Sequence, residues 1–85
     1  MFSQVKLREL RRTPIGAAGN CVARAIELAE VTQLFVASAT GLPQPYLSDV
    51  ARGRYQTITV ENARTFAEFI GVQIEDLFPA RQEVA

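Results

Sequence analysis

The stretch TQLFVASATGLPQPYLSDVARG, residues 32–53, decides the fold. Thr32 carries the side chain of a helix N-cap, and a helix runs from it to about Thr40. Gly41 follows where a helix end favours a residue able to take positive φ. Pro43 and Pro45 bracket Gln44. Prolines suit a first helical turn, whose amide hydrogens have no intrahelical acceptor, and Pro45 disfavours helical geometry at Gln44. The spacing therefore predicts a second helix starting at Pro45, with Gln44 at or near its cap. Leu47 and Val50 face inward on it, and Gly53 ends it. Two short helices joined by a Gly-containing turn make the unit that lays its second helix in the major groove of DNA.

Downstream, RYQTI is a loop and Thr59 caps a further helix with Val60, Ala63, Phe66, Ala67 and Ile70 as its apolar stripe. Gly71 terminates it. Val72, Ile74, Leu77 and Phe78 then carry a short last helix that ends at Pro79. Upstream, Asn20 is a good N-cap, and Val22, Ala25, Ile26 and Ala29 recur on one helical face. IGAAG, residues 15–19, supplies a hinge. Residues 1–13 fit no single template. Val5 and Leu7 alternate with Lys6 and Arg8 as in an edge strand, whereas Leu7 and Leu10 can share a helix face. The expected architecture is all-α: five short helices over residues 20–79, preceded by a basic arm and hinge (1–19) and followed by a short tail (80–85). The helix-turn-helix falls at about 32–52.

The bulk numbers agree with one small globular domain. The chain has 85 residues, 48% of them hydrophobic, and 21% charged. It has no run of the roughly 20 apolar residues needed to span a bilayer, and no signal-peptide core. The single Cys21 has no disulfide partner and no His to share a metal with, so a cytoplasmic, cofactor-free and metal-free protein is expected. With no His, no Gly-rich phosphate loop and no nucleophile–base pair, enzymatic function is not expected. Nine basic and nine acidic residues cancel, but unevenly. Residues 1–13 hold Lys6, Arg8, Arg11 and Arg12 against Glu9, a net +3 that the rest of the chain offsets.

The ordered run Thr32-Gln33, Ala37, Thr40-Gly41-Leu42, Tyr46-Leu47-Ser48 and Arg52-Gly53 closely resembles the lambda repressor/Cro-like (XRE) helix-turn-helix family. The resemblance continues through Thr59, Val60, Glu61, Ala67, Ile70-Gly71-Val72 and Asp76-Leu77-Phe78. It implies the five-helix fold of that family and double-stranded DNA as partner. It also implies a set of contacts. Gln33, beside Thr32 at the start of its helix, takes the place of a phosphate-binding Gln assisted by the helix dipole. The base-reading positions fall on Gln44, Pro45 and Asp49, with Tyr46 and Ser48 beside them. Gln pairs with adenine N6/N7, Asp accepts from cytosine N4, and Pro offers a thymine methyl only apolar contact. Arg52, Arg54, Tyr55 and Gln56 are the backbone contacts.

Each position has a plainer reading. Gln33 is also an ordinary polar first-turn residue, Asp49 a solvated or Arg-paired one, and Arg52 a helix-ending residue bonded to backbone carbonyls. Two helices and the charge balance depart from the family: a neutral protein with few basic residues in its core should bind non-specific DNA weakly. Ile26 stands where relatives often carry a polar or basic backbone contact. LRELRR (7–12) looks like the family's first helix, but the register from Gln33 places that helix at 20–30. Leu34 and Phe35 replace two polar residues, leaving the helix-turn-helix's first helix apolar on nearly all sides. Leaving both in water would forgo roughly 1.5–3 kcal/mol each, so Phe2, Val5, Leu7 and Leu10 of the arm are expected to cover them, in the same chain or a partner. The arm's cations have a competing use along the DNA backbone.

The function that follows is a sequence-specific transcriptional regulator, a phage or bacterial repressor, bound to its operator as a homodimer. Ile74, Phe78 and the tail are the expected dimer surface, with the apolar helix or the arm as the alternative. The competing reading is a protein-binding module or antitoxin that keeps the fold and uses the apolar helix or the arm for its partner.

Overall fold

A computed structural model describes residues 2–14, 16, 18–55, 57–78 and 83–84. Six helices follow one another: α1 (Gln4–Arg12), α2 (Val22–Leu28), α3 (Gln33–Thr40), α4 (Gln44–Ala51), α5 (Val60–Ile70) and α6 (Ile74–Leu77). The all-α expectation holds, with five of these helices inside residues 20–79. The arm adds the sixth. Ser3 caps it by accepting from the Lys6 amide at 3.1 Å. The helical alternative wins over the edge strand because Leu10 is then buried, at 1% exposure, against the body of the protein. Thr13, before Pro14, is extended and ends the helix.

Two boundaries differ from the sequence expectation. Cys21, not Asn20, is the N-cap of α2. Asn20 is instead a buried connector: its Oδ1 accepts from the Val22 amide at 3.0 Å and its Nδ2 donates to the Val50 carbonyl at 2.9 Å. The second helix of the pair starts at Gln44, with extended Pro43 as its cap and Pro45 inside its first turn. Both prolines sit where no amide donor is needed, so α4 begins one residue earlier than Pro45 alone suggests.

Leu47, Phe66, Leu77, Val22 and Val36 are the large fully buried side chains beside Leu10, one or more from every helix of the body. In α5 the stripe is Ala63, Phe66, Ala67 and Ile70, whereas Val60 in the first turn is exposed. Gly41 and Gly71 take left-handed backbone at the ends of α3 and α5, as their positions require. No sheet was expected, and the structure has a minimal one. Thr57–Ile58 (β1) pairs in parallel with Glu83–Val84 (β2), bringing the chain's last described residues beside the loop after α4.

Among the described residues, the arm does not cover Leu34 and Phe35. Leu34 is 70% exposed and Phe35 54%. The arm packs on α2 and reaches α6 instead, because Leu10 finds the core there and two ion pairs bracket the helix. Lys6 Nζ meets Glu30 Oε2 at 3.0 Å, and Arg11 Nε meets Asp76 Oδ1 at 2.8 Å. The ring of Phe35 lies against the tilted ring of Phe69, with centroids 6.1 Å apart. Val5 of the arm points to solvent.

Candidate nucleic-acid interface

The two glutamines come together. Thr32 Oγ1 accepts from the Phe35 amide at 3.0 Å and fixes the first turn of α3, which starts at Gln33. Gly41 turns the chain, and Pro43 delivers Gln44 to the first turn of α4. Gln44 Nε2 then donates to Gln33 Oε1 at 3.4 Å. Gln33 is half-buried and Gln44 exposed, with exposed Pro45 next to it. The pairing leaves Gln44 its amide oxygen and one N–H, the acceptor and donor that match the N6/N7 edge of adenine.

Tyr46 and Ser48 are half-buried. The Tyr46 hydroxyl accepts from Asn62 Nδ2 at 2.9 Å, and its ring lies against Tyr55, with centroids 5.3 Å apart and planes tilted by 52°. This bond ties α4 to α5 and seats the loop after α4 on an aromatic platform. Asn62 was invisible as a site residue in the sequence, because nothing in a chain separation of sixteen signals its contact with Tyr46.

Further along α4, Asp49 Oδ1 lies 3.7 Å from Arg54 Nε, and the Arg54 amide donates to the Asp49 carbonyl at 3.0 Å. Of the two sequence readings of Asp49, an Arg-paired carboxylate describes the structure in hand. Arg52 is the exposed C-cap residue. Gly53 follows at φ +77°, and a Cβ there would collide with the Ala18 carbonyl oxygen, so the linker lies directly on the end of α4. Gln56, expected to touch the backbone, lies outside the described residues.

The arm's cations are partly spent within the protein: Lys6 on Glu30 and Arg11 on Asp76, while Arg8 and Arg12 are exposed. The hydrogen bond and charge of Asp76 raise the pKa of Arg11. Burial, and to a lesser extent the charge of Asp76, pushes the Cys21 thiol up, leaving it a packed, unreactive side chain. Of the residues expected at a dimer surface, Phe78 is buried in the core and Ile74 is half-buried. Residues 79–82 and 85 of the tail lie outside the described residues.

This constellation can be compared with known proteins. A family model for the helix-turn-helix domain matches residues 22–77. The chain belongs to the lambda repressor-like (XRE) helix-turn-helix family. That family is one of DNA-binding transcription regulators, and the matched span runs from the first residue of α2 to the last of α6. LRELRR, in α1, lies outside the matched span. No curated protein and no solved structure matches the chain significantly. Among the described residues, no helix is long and apolar enough to cross a membrane.

Proposed function

We propose that this helix-turn-helix protein is a repressor of phage or bacterial type that binds a pseudo-palindromic operator as a homodimer. The observation that carries the reading is the Gln33–Gln44 amide pair at the adjoining starts of α3 and α4. An exposed amide held in place by a second amide is pre-organised for bidentate contact with adenine, while Gln33 and Thr32 sit at the first turn of α3, which favours phosphate. Pro45, Ser48 and Asp49 flank the reading position, and Tyr46 supports it from behind. Arg52, Arg54 and Tyr55 are the backbone contacts of this reading, as is Gln56, which lies outside the described residues. One such helix covers few base pairs, so two copies about 34 Å apart along the duplex supply the specificity. Half-buried Ile74 is the described part of the dimer surface in this reading.

Selection of bound sequences from a random duplex pool at two salt concentrations tests this. A recovered motif with two half-sites supports it, and recovery of no motif sinks it. One observation favours a second reading. Leu34 and Phe35 are exposed beside the glutamines, as a protein-binding module or antitoxin would need. That reading gains if no motif is recovered and Leu34→Lys abolishes capture of a protein partner.

A further inference from the structure

The region around α4 holds few cations, in a chain whose charges cancel. One of them, Arg54, is restrained twice by the same residue. Its amide donates to the Asp49 carbonyl at 3.0 Å, and its guanidinium stands 3.7 Å from the Asp49 carboxylate. The backbone bond fixes where the side chain of Arg54 begins. The carboxylate then competes for the same guanidinium that a DNA phosphate would take.

We propose that Asp49 masks Arg54 and thereby holds down binding to non-specific DNA. The inference rests on the DNA-binding reading above and adds a regulatory element to the same site. On any duplex, Arg54 must either leave Asp49 or bring that carboxylate up to the phosphates, where like charges repel. Both options subtract from the backbone contacts that supply non-specific affinity. At a cognate site the Asp49 carboxylate has another destination, because it is an acceptor on the reading helix and a cytosine presents its N4 amino donor in the major groove. Arg54 is then released to phosphate without stranding a carboxylate. A residue that looks unsuited to DNA thus widens the gap between correct and incorrect sequences by weakening the incorrect ones.

A double-mutant cycle on a short duplex of scrambled sequence tests this. Asp49→Asn in the otherwise unchanged protein is expected to bind that duplex about two- to fivefold more tightly, the range of an exposed ion pair. Its plot of log affinity against log salt should steepen by up to about 0.9. In the Arg54→Ala background the same substitution should change affinity far less. A gain of equal size in both backgrounds means that Asp49 acts as a general negative charge and overturns the masking. An unchanged affinity and salt slope in the single variant overturns it as well. Failure of the unaltered protein to bind any duplex at low salt overturns the DNA-binding reading and the masking together. In the DNA-free protein, Asp49→Asn should also move the Arg54 Nε–Hε resonance, an effect that a distant charge would not produce.

Discussion

The Arg11 guanidinium meets the Asp76 carboxylate at 2.8 Å and so joins a helix outside the family's span to the last helix inside it. The other oxygen of Asp76 accepts from the Gln73 amide at 3.0 Å, completing a capping box at the start of α6. One carboxylate, nearly enclosed at 9% side-chain exposure, holds two elements at once. Asp76→Ala should therefore loosen both. Loss of the cap alone is worth about 1 kcal/mol, which in a domain of this size lowers Tm by roughly 4–8 °C. Amide exchange in α1 should rise in the same variant. An α1 that stays as protected as before would show that Leu10 and the Lys6–Glu30 pair hold it without Asp76.

At the interface, Gln44→Ala and Arg54→Ala are expected to fail in different ways. The first should relax specificity at one base position, at a cost of about 1–3 kcal/mol on the preferred site. The second should leave every base preference in place but weaken the selected duplex more than a scrambled one, on which Asp49 already holds Arg54 back, and reduce the salt slope on the selected duplex by about 0.9. Titrations of each variant on selected and scrambled duplexes separate the two. Loss of preference at a single base position in Arg54→Ala would reverse the assignments.

Two glycines with nearly equal φ angles should differ sharply on substitution. Gly41 has φ +79° with open space where a Cβ would go, so Gly41→Ala carries only the left-handed backbone cost of about 1–2 kcal/mol. Gly53, at φ +77°, also meets the Ala18 backbone. Gly53→Ala adds a collision between two main chains and should cost roughly 2–4 kcal/mol. Chemical denaturation measures both. Equal losses would mean that the linker yields freely over α4.

Cys21 gives the protein a mild sensitivity to alkaline pH. Its thiol is raised in the folded state, first by burial and then by the charge of Asp76. The folded chain therefore keeps the proton to higher pH than the unfolded chain does. Stability from this group is fully present below the unfolded thiol pKa, about 8.5, and falls as pH rises from there towards the folded value. Urea midpoints measured from pH 7 to 10 should decline more steeply in the unaltered protein than in Cys21→Ala. Parallel curves would remove the effect.

Much of the fold was legible because its signals are local. Thr32, Gly41, Thr59 and Gly71 mark helix ends by the chemistry of one turn, and each stands where the structure places it. The register from Gln33 also called for a helix within residues 20–30, and α2 stands at Val22–Leu28. What stayed hidden depends on contacts distant along the chain. Asn20 reads as a cap until Val50 is seen to claim its amide, and Tyr46 reads as a base contact with no hint that Asn62 holds its hydroxyl. The arm had two valid periodicities, and only the space for Leu10 chose between them. Cover of Leu34 and Phe35 by the arm of the same chain is not what the structure has, for the same reason, since ion pairs to Glu30 and Asp76 draw the arm to another side.

The linker over Gly53 has a mechanical consequence. Asn20 grips the last turn of α4 through the Val50 carbonyl, and the Ala18 backbone lies against the glycine just beyond. The far end of α4 is clamped by covalently continuous chain, so in the proposed DNA complex its aim is set before any duplex arrives. A rigid probe cannot follow an ill-fitting groove. The compliance in the complex must then come from the DNA, and sequences that twist or bend cheaply into the probe's shape gain an advantage at positions the protein never touches.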